Sequence, residues 1–224
     1  MYEGCGKKEL KVLLALDAGD SISGVARKID ENRETIRRVV NRLEDAGYVA
    51  YDGGLQLIDR TVQDAGLEFL AAAASVSRPT IPEAYVLPQF ANMEYAYTAI
   101  DAVYVWTHGG YQVARNPDDY PLFIAVHESD LDAWAAFFDR FGIPTAEERL
   151  PAEDLDGAIQ VVLEPRTQID TEMVDGYPVV PLQEAVTFAT EYDATFEPAL
   201  EMLDRMYDDV DTEATYRMES PTNE

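Results

Sequence analysis

The strongest constraint on the fold lies between Asn32 and Leu57. Ile36, Val39, Val40 and Leu43 fall at i, i+3, i+4 and i+7, one apolar stripe on a helix. Asn32 can cap the start of that helix, and Gly47 can end it in a left-handed turn. Two short strands follow, Tyr48-Val49-Ala50-Tyr51 and Leu55-Gln56-Leu57, around the hairpin turn Asp52-Gly53-Gly54. A helix with one apolar stripe must bury it against neighbours. The preceding residues supply them. Leu10, Leu13 and Leu14 place a first helix at about Lys7 to Leu16, ended by Gly19. Ser21 or Ser23 caps a short second helix with Val25, Ala26 and Ile29 inward. Asp30-Glu31-Asn32 is then a tight connection into the third helix.

The opposite face of the third helix carries Arg33, Arg37 and Asn41 at four-residue spacing, with Arg38 and Arg42 beside them. Those arginines stand out against the rest of the chain. Forty-three acidic side chains oppose 17 basic ones, a net charge of −26. Residues 1–60 hold ten bases against eleven acids, a net of −1. The remainder holds seven against 32, a net of −25. Such asymmetry points to a local anionic partner. Lysine occurs only as Lys7, Lys8, Lys11 and Lys28. An acidic, lysine-poor surface resembles the proteins of halophilic archaea, which hold molar potassium chloride. At that ionic strength the Debye length is ~3 Å and self-repulsion is screened. An acidic mesophilic protein or a nucleic-acid mimic are the other readings of the same numbers.

The stretch SISGVARKIDENRETIRRVVNRLEDAGYV, residues 21–49, resembles the winged helix-turn-helix domain of prokaryotic regulators. The resemblance implies that the third helix enters the major groove of double-stranded DNA. Arg33, Thr35, Arg37, Arg38, Asn41 and Arg42 then occupy the positions of the family's readers. Their chemistry suits the role, since arginine can bond guanine O6 and N7 together and asparagine can bond adenine. A solvated helix face is the plainer alternative. The wing departs from the family pattern: its tip is Asp52-Gly53-Gly54, and the next base is Arg60. The wing contact is therefore expected to be weak or missing.

Residues 61–82 read as a connector. An alanine-rich helix from Val62 to about Ala74 either makes a dimer contact, as in regulators of this class, or packs on the winged unit. Ser75 to Pro82 reads as linker, with two prolines excluding helix. Residues 83–210 read as an α/β domain. It has a helix from about Glu83 to Trp106 and a strand at Tyr111 to Arg115. Buried strands follow at Pro121 to His127 and Ala158 to Leu163. A helix at about Ser129 to Arg140, a short strand from Tyr177, a helix beginning at Pro181 and a last helix from about Glu197 complete it. Residues 211–224 form a polar tail.

The order helix, Gly109-Gly110 turn, strand, apolar strand, then a helix ending FDRFGI resembles the nucleotidyltransferase core of toxin–antitoxin systems. GYPVVPLQEAVTFA resembles its later strand and helix. Antitoxins of the abortive-infection AbiEi type join a winged helix to a domain of similar appearance. An active transferase needs two acids one residue apart to hold Mg²⁺. The matching positions are Pro121 and Phe123, which cannot bind a metal. Asp118 and Asp119 are adjacent, so on a strand they would face opposite ways. No lysine follows Lys28. The site is therefore expected to be dead, with no catalytic residue, metal or cofactor. His108 and His127 read as structural, and Glu164-Pro165-Arg166 as a solvated or partner-binding loop.

The expected fold class is α+β, a winged helix-turn-helix followed by an α/β, nucleotidyltransferase-like domain. The expected function is a sequence-specific transcription regulator, a repressor or autorepressor, with an antitoxin-like role as its sharper form. It would be homodimeric, with a protein partner or small-molecule effector at the second domain. A nucleotidyltransferase fused to a DNA-binding module is the alternative. One cysteine, Cys5, excludes an internal disulfide framework. The N-terminus has no basic segment leading into a long apolar run, so no secretory signal is read. The most apolar stretch, Leu67 to Val76, falls short of the ~20 residues of a membrane span. A cytoplasmic location, away from membranes, is the expectation.

Overall fold

The structure is a computed structural model that describes residues 7–29, 31–111, 116, 118–151, 153, 155, 159–208 and 210. It is a mixed α+β chain with two separate hydrophobic cores. The first core is built by α1 (Lys7–Ala15), α2 (Ile22–Lys28), α3 (Arg33–Asp45) and the hairpin β1 (Val49–Tyr51) with β2 (Leu55–Leu57). Each boundary has a local cause. The Ser21 hydroxyl accepts from the Gly24 N–H at 3.0 Å and opens α2. The Asn32 carbonyl oxygen accepts from the Glu34 N–H at 2.8 Å and opens α3. Gly47 follows α3 at φ 79°, a left-handed conformation that a side chain would resist. Ile36, Val39, Val40 and Leu43 are buried against α1, α2 and β1.

The helix α4 (Thr61–Ala74) belongs to both cores. Val62 packs on the first, whereas Leu67, Leu70, Ala71 and Ala74 pack on the second. It is therefore more than a connector, although Ala65, Phe69 and Ala72 remain exposed on its far side. The following residues were expected to be non-helical up to Pro82. Instead α5 (Ile81–Val86) starts there, with Pro82 in its first turn. A proline fits at that point because the first helical N–H groups need no partner within the helix.

The second core surrounds a six-stranded sheet in the order β5-β6-β4-β3-β8-β7. Its strands are β3 (Tyr95–Tyr97), β4 (Tyr120–His127), β5 (Thr145–Ala146), β6 (Ile159–Arg166), β7 (Glu172–Val174) and β8 (Tyr177–Val179). β4, β5 and β6 run parallel, β3 is antiparallel to β4 and parallel to β8, and β7 pairs with β8 as a hairpin. Around the sheet lie α6 (Ala99–Trp106), α7 (Leu131–Asp139), α8 (Leu182–Glu191) and α9 (Asp193–Met206).

The single helix read over Glu83 to Trp106 is corrected here. The chain forms α5, a 3-10 turn at Leu87–Phe90, strand β3 and then α6. Pro88 lacks the N–H that a continuing helix needs, and Asn92 is left-handed at φ 54°. Tyr95, Ala96 and Tyr97 are all buried between β4 and β8, where backbone pairing outweighs helical spacing. The loop read at Glu164-Pro165-Arg166 is corrected too. Those residues end β6, paired with Ala125, Val126 and His127 of β4. The strand expected over Tyr111 to Arg115 falls, apart from Tyr111, outside the described residues, as do Cys5, Asp30 and the tail at 211–224. Among the described residues, no helix is long and apolar enough to cross a membrane.

Candidate nucleic-acid interface

The outward side of α3 is set by its buried stripe. Successive residues turn by about 100°, so Glu34, Arg38, Asn41 and Asp45 lie most nearly opposite Ile36, Val39, Val40 and Leu43. Arg33 and Arg37 flank that line on one side, and Thr35 and Arg42 on the other. Arg33, Arg37, Arg38, Asn41 and Arg42 are exposed, and Thr35 is half-buried. Among the described residues, neither Arg33 nor Arg37 forms an ion pair. Arg38 Nε lies 3.5 Å from Glu34 Oε1. Arg42 is drawn aside: its Nε donates to Glu9 Oε1 of α1 at 2.9 Å, and Glu9 is buried. Of the seven residues singled out, the structure thus leaves Arg33, Arg37, Arg38 and Asn41 best presented.

Arg33, Arg37 and Arg38 occupy the first half of α3 with Glu34 among them, and Arg42 shares the last turn with Glu44 and Asp45. The helix dipole favours acids at the N-terminus and bases at the C-terminus. Glu34 and Arg42 follow that preference, and the other charges run against it. The first two turns together carry a net positive charge. Those turns are also the ones that contact base edges in helix-turn-helix complexes.

The seventh residue, Arg60, is placed apart from this cluster. It precedes α4 and donates to Asn92 Oδ1 of the second unit at 3.5 Å. It lines a shallow cleft with Gln63, Asp64, Leu67 and Phe90. The tip of the β1–β2 hairpin offers Asp52 and two glycines, and Tyr51 is exposed beside it.

α2, which packs against α3, is seated on the second unit. Lys28 of α2 is buried, its side chain 1% exposed. Its Nζ donates to Asp20 Oδ2 at 2.8 Å and to Gln89 Oε1 at 3.1 Å, and it lies 5.7 Å from the centre of the Tyr177 ring. Burial raises the Asp20 carboxyl above its ordinary value, and the Lys28 ammonium pulls it back down. Gln89 Nε2 returns a bond to the Leu14 carbonyl at 3.1 Å. Gly176, at φ 85°, touches the same node. A Cβ there would stand 2.5 Å from Asp20 Oδ1 and 2.7 Å from Lys28 Cε, so only glycine fits. Beside it Asp175 pairs with Arg27 of α2 and with His108 Nδ1, the latter at 2.5 Å. α2 thus faces the β7–β8 hairpin.

Nothing in the sequence spacing announced Lys28 as buried, because a lysine beside Val25, Ala26 and Ile29 reads as a helix edge.

In the second unit, Pro121 and Phe123 sit on β4 as the spacing required. Asp118 is exposed in a turn, and Asp119 Oδ2 accepts from Arg149 Nη2 at 2.5 Å. Among the described residues, no three His, Cys, Asp or Glu side chains converge as metal ligands. His108 is an exposed left-handed turn residue at φ 50°, tied to Asp175. His127 Nε2 lies 3.0 Å from Glu94 Oε2 at the end of β4. Arg166 is held from two sides, by Glu164 Oε1 at 2.9 Å and Glu184 Oε2 at 3.0 Å, and the Thr98 hydroxyl accepts from it at 3.3 Å. Those carboxylates, Glu184 first, raise its pKa further and hold its charge in place. Its donors are taken up by these three neighbours.

No family model, curated protein or solved structure matches this chain.

Proposed function

We propose that this protein is a DNA-binding transcription regulator whose N-terminal unit works as a winged helix. Its α3 would enter the major groove with its first turns leading. The observation that carries this reading is the exposed set Arg33, Arg37, Arg38 and Asn41, in a chain whose remainder bears a net charge of −25. The net positive charge of the first two turns of α3, three arginines against Glu34, supports it. In this reading the protein is a homodimer on an inverted repeat, with half-sites ~34–36 Å apart. It acts as a repressor or autorepressor of antitoxin-like type. The sheet unit is a nucleotidyltransferase-like fold without catalysis that serves a protein partner or small-molecule effector. The acidity is an adaptation to the molar salt of a halophilic archaeon. Binding by phosphate attraction weakens by roughly 0.9 log units per neutralised phosphate per decade of salt. In molar salt, direct base contacts must then carry most of the affinity.

The test is fluorescence anisotropy of a selected duplex at high potassium chloride. Arg37→Ala and Arg38→Ala should each weaken binding by ~1–3 kcal/mol per site. Arg60→Ala should cost less and act alike on all sequences. If both α3 variants stay folded and bind like the parent, α3 is not the reader.

A further inference from the structure

An acid stands in the middle of the proposed reading face. Glu34 lies in the first turn of α3, on the outermost line with Arg38 and Asn41, and its side chain is 58% exposed. The capping of α3 does not use it. Asn32 supplies the cap, and the Glu34 backbone N–H is the group being capped, at 2.8 Å. Its pair with Arg38 adds little, spanning 3.5 Å with Arg38 72% exposed, so its local contribution is the favourable placement of an acid in the first turn. Exposed pairs of this kind contribute little. A carboxylate at this point is repelled by phosphates, so it needs a donor in the groove if α3 docks there.

The chemistry of the groove limits the choice. Cytosine N4 and adenine N6 are the amino donors on the major-groove edges. Adenine sets its donor beside the N7 acceptor, which a carboxylate cannot satisfy, whereas cytosine offers the donor without that acceptor. Arg38, one turn further along, can hold the carboxylate from one side and turn its other donors to guanine O6 and N7.

We propose that Glu34 is a specificity-determining residue that selects cytosine at one position of each half-site, with Arg38 as its positioning partner. This rests on the reading of α3 as the DNA-contacting helix. Asp45, on the same outward line but in the last turn, serves as the control.

The experiment selects bound duplexes from a randomised library with the full-length parent, Glu34→Ala, Glu34→Gln and Asp45→Asn at high potassium chloride. Helical content is checked by circular dichroism. The parent motif should contain one invariant cytosine per half-site. Glu34→Ala should relax that position alone, lowering discrimination there by about tenfold. Glu34→Gln should shift it toward adenine, because an amide can bond N6 and N7 together. Asp45→Asn should leave the motif unchanged. If Glu34→Ala keeps the parent motif and merely tightens binding to every duplex, the carboxylate is tolerated rather than used, and only this proposal falls. If the parent enriches no motif at all, the DNA-reading role of α3 fails, and this proposal with it.

Discussion

The two cores of this chain handle buried charge differently. In the first, Lys28 and Asp20 form an ion pair with side chains 1% and 2% exposed. That pair is completed from outside its own core, by Gln89 and the ring of Tyr177. In the second, Asp101 is fully buried and satisfied from within, by the Tyr85 hydroxyl and by the Phe123 N–H at 2.7 Å. Outside, the contrast reverses. The first unit has near-balanced charge, and the sheet unit lies within the part of the chain with a net of −25. A buried pair shared across two cores fixes their mutual orientation, because neither core alone can satisfy the lysine. A self-contained buried acid fixes only its own surroundings.

The largest expected effect breaks the shared pair. Lys28→Met leaves Asp20 buried without its cation and should cost ~3–5 kcal/mol, read from urea unfolding. Adding Asp20→Asn should recover part of the loss. The pH dependence has a definite sign. A carboxyl whose folded pKa is raised loses stability as pH climbs through that range and regains it as pH falls toward its ordinary 3.8. The deficit of Lys28→Met against the parent should therefore shrink on acidification. An equal deficit at neutral and acid pH would mean that Asp20 does not carry the cost.

A smaller effect sharpens the surface contrast. Trp106 and Trp134 both lie in the second core, so tryptophan fluorescence reports on that unit alone. As potassium chloride falls from molar to ~0.1 M, the screening length grows from ~3 to ~10 Å and the acidic unit repels itself. The fluorescence midpoint of thermal unfolding should drop across that range. A flat midpoint would remove the link between acidity and salt.

The smallest effect is expected at the exposed edge of the contact between the units. Arg27 is half exposed where it meets Asp175. Arg27→Ala should change stability by ~0–1 kcal/mol at low salt and by less in molar potassium chloride. A loss as large as that of Lys28→Met would show that this outer pair, rather than the buried one, holds α2 on the hairpin.

Much of the first unit was legible because its signals are local. Asn32, Gly47 and the stripe from Ile36 to Leu43 act within a few residues of where they stand. The candidate site was legible in its residue types but not in its ranking. Asn41 and Arg42 are both exposed neighbours, yet Glu9 ties the Arg42 guanidinium to α1. Arg60 follows the β1–β2 hairpin in sequence, yet it reaches Asn92 across the cleft.

By itself the sequence determined the three helices and hairpin, the uneven charge and the absence of acids at Pro121 and Phe123. Caps, turns and periodicity are properties of neighbours in the chain. Only the tertiary structure decided that Tyr95 to Tyr97 form a strand, since their pairing partners, Ile124 to Val126 and Val179, lie far along the chain. It also decided that β6 runs on through Arg166, because β4 supplies partners as far as His127. And it decided that Lys28 is buried, because the groups that make its burial tolerable come from three separate segments: Asp20, Gln89 and Tyr177.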